Sequence, residues 1–200
     1  LRRTEGGAFI CSDIDFGNNK QVARESDIVI IAVPPDVTAR VLQQVAPLMQ
    51  KGALLIEICS LKLHLKKALD FAAKQNIEIL SLHPLFGPVE SIASENIAAI
   101  KIKPGIKTRK VLEFLKSEGA NVFETTLEEH DQKVAATQAL FHLLMTKLDK
   151  LADPRFKTKA FKIATERSKK LKNKESLFKA IVEDNVFLQQ AFEELKAEIQ

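Results

Sequence analysis

Three short apolar runs constrain the fold of this chain most: Ile28-Val-Ile-Ile-Ala-Val33, Ala53-Leu-Leu-Ile56 and Ile77-Glu-Ile-Leu-Ser-Leu82. Such runs suit buried strands, and the almost purely β-branched first one suits a strand covered on both faces. The residues between them repeat at helical spacing. Asp36 is placed to cap a helix through Met49, with Val37, Val41, Val45 and Leu48 on one face. Lys51-Gly52 closes that helix, glycine supplying the left-handed turn. A second helix is expected from about Leu61 to Gln75. Strands alternating with helices make right-handed crossovers and a parallel sheet.

Upstream, Ala8-Phe-Ile-Cys-Ser12 reads as another strand, entered from Gly6-Gly7 and ended at Asp13. Downstream come a Pro/Gly loop at 83–93, a strand from Ile97 to Ile102, a break at Pro104-Gly105, a helix from Thr108 to Glu118 and a short strand at Ala120–Glu124. The character changes after Thr125-Thr126: glycine disappears and Pro154 is the only proline. Apolar residues then recur at three and four (Val134, Leu140, Leu144, Leu148, Leu151; Phe161, Ile163, Leu171; Leu177 to Ile199), which predicts three helices, the last amphipathic throughout. The expected architecture is α/β: a Rossmann-like parallel-sheet domain over residues 1–126, then an all-α helical domain over 127–200. A helical region this small buries little alone and gains stability by packing on the sheet domain or on a second copy of itself.

With 46% hydrophobic residues in 200, the chain can build one large core or two small ones. No apolar run approaches the roughly 18 residues that suggest a membrane span, and the start has no signal-peptide pattern. The 30 basic and 26 acidic residues are mostly interleaved, which argues against a nucleic-acid surface. Lys157 to Lys174 is the exception, either a solvated helix face or an anion site. Cys11 and Cys59 read as small buried residues of a reducing, cytoplasmic compartment. No Cys/His spacing suits a metal. A chain that starts at Leu1 without methionine is expected to be a fragment of a longer one.

Polar residues just past parallel strands lie at the carboxyl edge of the sheet, where open α/β folds bind ligands. Ser60 and His83 both occupy such positions and could form a proton-transfer pair; Ser60 could equally cap the helix after it. Asp13 stands where an acidic residue would hold an adenosine ribose, though strand-end aspartates are also common turn formers. A G-x-G-x-x-G loop is not in this sequence. Gly6-Gly7 cannot replace it, because they lead into a strand rather than a helix N-terminus.

Glu57-Ile-Cys-Ser-Leu-Lys62 together with His83-Pro-Leu-Phe-Gly-Pro88 resembles the prephenate dehydrogenase family, as do Ile31-Ala-Val-Pro-Pro-Asp-Val-Thr38, Glu128-Glu-His-Asp-Gln132 and Gln138-Ala-Leu-Phe-His142. The motifs fall in the family's order over most of the chain. Two differences stand out: Cys59 where glycine or alanine is usual before the serine, and Leu85 where methionine is usual.

The resemblance implies a cytoplasmic, NAD-dependent enzyme of tyrosine biosynthesis that oxidatively decarboxylates prephenate to 4-hydroxyphenylpyruvate. It implies His83 as the base for the substrate 4-hydroxyl and Ser60 as the residue that orients it. It implies His142 as a substrate-binding residue, and Arg167, with Lys169 as the competitor in register, as the anchor of a substrate carboxylate. Asp13 would favour NAD over NADP, and the Val33-Pro34-Pro35 loop would line the cofactor site. His130 is expected to be structural, and a homodimer through the helical region is expected. Two other readings stay open: a dehydrogenase for arogenate or another β-hydroxyacid-type substrate, and a non-catalytic dinucleotide-fold module that serves dimerisation or regulation.

Overall fold

The structure, a computed structural model, describes residues 2–4, 7–9 and 18–199. The chain divides into two compact units. One holds Leu1–Val33, Val37–Cys59 and Leu65–Glu124; the other holds Pro34–Asp36, Ser60–His64 and Thr125–Gln200. The second unit thus takes in two short segments from the region of the sequence that builds the sheet.

The first unit is built on a five-stranded sheet of β3 (Ile28–Ile31), β4 (Leu54–Glu57), β5 (Glu78–Pro84), β6 (Asn96–Lys103) and β7 (Asn121–Glu124), hydrogen-bonded in that order. β3, β4 and β5 are parallel, with α2 (Pro35–Val45) and α3 (Lys66–Ala73) as the helical crossovers. The sheet is mostly parallel as expected, with β5 and β6 antiparallel. The cause is the loop at 85–95, which contains no helix: a parallel return needs a long crossover. α4 (Ile106–Ser117) then restores parallel pairing between β6 and β7. Leu54, Ile56, Leu80, Leu82, Ile97 and Ala99 pack from one sheet face against Leu112 of α4 and Ala120.

Two expectations for this unit need correction. β3 is not covered on both faces: Val29 and Ile31 are buried, but Ile28 is 43% and Ile30 59% exposed, and β3 is an edge strand of the described sheet. Gly7–Phe9 (β2) pairs antiparallel with Arg2–Thr4 (β1) as a separate ribbon instead of joining the main sheet. Asp13 and Cys11 lie outside the described residues. α1 (Asn19–Glu25) precedes β3. Helix boundaries also shift: Asp36 lies inside the first turn of α2 rather than capping it, and Leu63–Leu65 forms a tight turn before α3. Gly52 has φ +75°, the left-handed conformation expected of it, in the turn before β4.

The second unit is helical. α5 (Leu127–Val134) and α6 (Leu140–Leu151) join through a single π-helical turn at Ala135–Ala139. Thr126 caps α5 by accepting the Glu129 N–H at 3.1 Å. α7 (Lys159–Lys172) follows, capped by Thr158, then α8 (Glu175–Phe178) with a second π turn at Lys179–Glu183, and α9 (Leu188–Ile199). The final stretch is therefore not one continuous helix. Asn185 interrupts it: its side chain accepts the Phe187 N–H at 3.0 Å and donates to the Asp131 carbonyl at 3.0 Å, so it caps a new helix. Ala135, Leu140 and Ala191 form one small core with Phe187 and Phe192; Ala139, Ile181 and Val182 form another with Leu143 and Leu171. No helix among the described residues is long and apolar enough to cross a membrane.

Candidate active site

In the first unit, parallel pairing sets Glu57, the last residue of β4, opposite Ser81, from which β5 runs on through His83 to Pro84. Side chains alternate along a strand, which puts Ser81 and His83 on one face. The Glu57 carboxylate has no exposed surface. It accepts the Ser81 hydroxyl and, at 2.7 Å, the Cys59 N–H. A buried carboxylate needs such donors, and here they do a second job. The bond to Cys59 fixes the turn that leaves β4 immediately before Ser60. His83 is 4% exposed. The acidic residue three places before the serine therefore has a physical reason in this fold.

In the second unit, Ser60 opens the Ser60–His64 segment and is half-buried. The next helical turn begins only at Leu63, and no helix cap by Ser60 is found among the described residues. The segment is pinned from α5. Asp131 accepts the Lys62 N–H at 2.9 and 3.1 Å and the Leu63 N–H at 2.8 Å. It also accepts His130 Nδ1–H at 2.8 Å, since a carboxylate can only accept. His130 is 4% and Asp131 1% exposed, and Lys62 has no exposed surface at all. The His-Asp motif is thus a buried clamp on the segment that carries Ser60.

The residues expected to meet substrate lie on α6 and α7. His142, on α6, is half-buried and contacts the Ser168 hydroxyl at 3.0 Å through Nδ1. Burial, and secondarily the positive charge of Arg167, lowers its pKa below the ordinary 6.5 of histidine, which favours the neutral ring. Lys169 is drawn to carboxylates instead: Asp149 at 3.1 Å and Glu166 at 3.4 Å, the Asp149 bond raising its pKa. Lys157 shares Asp149 at 2.6 Å. Arg167 is exposed and makes no ion pair among the described residues. The rest of the basic run is largely a solvated helix face, its lysines exposed. A shallow cleft in the same unit is lined by Pro35, Asp36, Leu61, His64, Lys179 and Asp184, with the Ser176 hydroxyl donating to Asp36 beside it.

The structure therefore brings His83 together with Glu57 and Ser81, and His142 together with Ser168 and Arg167. Pro35 meets Leu61, the neighbour of Ser60, at the cleft. Val33 ends the β3 limb as an exposed residue, its carbonyl accepting the Thr38 hydroxyl at 3.4 Å. Sequence reasoning assigned no role to Glu57, Lys62, Asp131 or Ser168. The signal for the first three was present as polar residues inside quoted motifs. Ser168 left no signal, because its role depends on a contact 26 positions away.

The chain is similar to known proteins over much of its length. Residues 9–98 match a family model described as the nucleotide-binding domain of prephenate dehydrogenase. The chain is 37% identical over 142 residues to a probable arogenate/prephenate dehydrogenase of Methanocaldococcus jannaschii, covering 68% of this chain and 31% of that protein. It is 31% identical over 140 residues to a 4-amino-4-deoxyprephenate dehydrogenase of Streptomyces pristinaespiralis, covering 69% and 47% respectively. The chain thus spans less than half the length of either relative. Among solved structures, prephenate dehydrogenase from Aquifex aeolicus, in complex with hydroxyphenyl propionate and NAD+, superposes with a TM-score of 0.60. That match has 17% identity and covers 90% of this chain and 77% of that one, a likeness of fold.

Proposed function

The chain belongs to the prephenate dehydrogenase family, and from that premise we propose that it serves the NAD-dependent oxidative decarboxylation of prephenate to 4-hydroxyphenylpyruvate in cytoplasmic tyrosine biosynthesis. The observation that carries this reading is the buried Glu57–Ser81 pair on the face of His83, where β4 ends beside the parallel strand β5. It supplies what a proton-abstracting histidine needs: a fixed backbone and a water-poor wall. The amino analogue arogenate is the alternative substrate.

In this reading His83 accepts the proton of the substrate 4-hydroxyl as hydride leaves the same carbon, and loss of carbon dioxide then aromatises the ring. A histidine is suited to this because its pKa lies near working pH. Ser60 orients the hydroxyl and the imidazole. His142 binds substrate, and Arg167 holds a carboxylate with its planar, bidentate fork. Arg167 is preferred to Lys169 because Lys169 already serves Asp149 and Glu166.

The residues present fit a dinucleotide along the strand-end rim: past the end of β3 comes an exposed, apolar Val33 that leads into Pro34 and Pro35. Val33, Pro34 and Pro35 would hold it there, with Asp13 on the ribose. Bound NAD supplies the hydride acceptor. The exposed apolar residues of the helical unit, including Leu151, Phe156, Ile163 and Ile199, support self-association as a homodimer.

The test is His83→Asn, with NADH formation followed by absorbance and NAD binding by calorimetry. Turnover is expected to fall by about 10²–10⁴-fold, the usual worth of a general base, with NAD affinity nearly unchanged. Retained turnover would overturn the assignment.

A further inference from the structure

Ser168 is fully buried and sits between two polar atoms. Its Oγ lies 3.2 Å from the Ala164 carbonyl oxygen and 3.0 Å from His142 Nδ1. A serine hydroxyl has one proton to give. The 3.2 Å contact is the usual back-bond of a helical serine, in which the hydroxyl gives its proton to the acceptor-only Ala164 carbonyl. The second contact is then a hydrogen bond only if His142 carries its proton on Nδ1. With the proton on Nε2 instead, two acceptors would compete for one hydroxyl proton, and one buried contact would set lone pair against lone pair.

We propose that Ser168 is a positioning residue that holds neutral His142 as the Nδ1–H tautomer, so that Nε2 meets the ligand as a hydrogen-bond acceptor. The ring is further held by the edge of Phe141, with centroids 5.2 Å apart at 76°. Nε2 has no hydrogen-bond partner among the described residues. Burial and the charge of Arg167 disfavour the doubly protonated ring. An acceptor of this kind selects a hydroxyl or an ammonium group and gains nothing from a carboxylate or keto oxygen. A division of labour between α6 and α7 follows: Arg167 takes negative charge, and His142, fixed by Ser168, takes a donor. The ligand half rests on the reading of His142 as a substrate-binding residue; the tautomer half does not.

The experiment is long-range ¹⁵N–¹H correlation NMR of the full 200-residue chain at neutral pH, comparing wild type with Ser168→Ala and Ser168→Thr. The wild type is expected to show His142 protonated on Nδ1. Ser168→Ala should shift it towards the Nε2–H form, and Ser168→Thr, which keeps a hydroxyl, should restore Nδ1–H. An Nε2–H ring in the wild type, or Nδ1–H unchanged in Ser168→Ala, overturns the proposal. Titration with prephenate and with arogenate then reads the ligand half. A shift of Nε2 with Nδ1–H retained supports it: with arogenate alone the donor is the side-chain ammonium, and with both ligands it is the ring hydroxyl, whose one proton then cannot also go to His83, which overturns the base assignment of His83 and not the tautomer. A ring that becomes doubly protonated on binding overturns the ligand half. If neither ligand moves Nε2, the substrate reading of His142 falls while the tautomer assignment stands.

Discussion

The Asp131 carboxylate is acceptor-only and almost fully buried, so each donor it serves depends on it. It holds two consecutive backbone N–H groups, of Lys62 and Leu63, and the ring of His130. Asp131→Ala would orphan three donors inside the helical unit. At about 1–3 kcal/mol for each buried donor left unpaired, the expected loss is roughly 3 kcal/mol or more. Urea denaturation monitored by circular dichroism measures it. A loss under about 1 kcal/mol would mean that water or relaxation replaces these bonds, and that the clamp does not hold the Ser60 segment. Gln132, the exposed neighbour in the same motif, is the control: its replacement by alanine should be nearly neutral.

At the scale of elements, the first residue of one strand secures the start of a helix. α4 begins without a side-chain cap of its own. Glu78, at the start of β5, supplies one from a distance, accepting the Lys107 N–H at 3.1 Å, the Thr108 N–H at 2.7 Å and the Thr108 hydroxyl at 2.8 Å. Gly105 leaves room for this, since a Cβ there would come within 2.4 Å of the Glu78 carboxyl carbon. Burial by itself raises the Glu78 pKa, but the Thr108 and Lys107 hydrogen bonds and the Lys107 charge outweigh it, and the net shift is below 4.5. A depressed carboxylate pKa contributes stability that is complete above the unfolded value and is lost as pH falls through the folded value. Glu78→Ala is therefore expected to cost about 1 kcal/mol at neutral pH, the usual worth of a helix cap. The difference from wild type should shrink below about pH 4.5. Paired denaturation curves at pH 7 and pH 3 test both statements, and a difference that grows on acidification would refute the cap.

For the whole molecule, each unit has its own core. The helical unit leaves Leu151 82%, Phe156 81% and Ile163 55% exposed. Sedimentation equilibrium is expected to find a dimer. Replacing Phe156 and Ile163 by serine should move the equilibrium towards monomer while circular dichroism stays unchanged. A wild-type monomer at all concentrations would remove the dimer from the functional reading.

The sequence by itself determined the order and kind of most elements, because apolar periodicity is local: Ile28–Val33, Ala53–Ile56 and Ile77–Leu82 announce their strands through residues that are neighbours in the chain. It also placed His83 and Ser60 just where strands end, and the motifs around them identified the family. It could not say that β6 runs antiparallel, that one face of β3 is left exposed, or that the last helical stretch breaks at Asn185. Each of those depends on what lies across from a residue, not beside it. The same holds for the site. Glu57 is a strand-end acid until Ser81 and the Cys59 N–H meet it, and Asp131 is a helix-face acid until the Lys62 segment folds onto it. Ser168 is one polar residue in a basic helix until His142 arrives from α6. Tertiary structure decided these roles because hydrogen bonds between buried groups are made in space, and spacing along the chain carries no record of them.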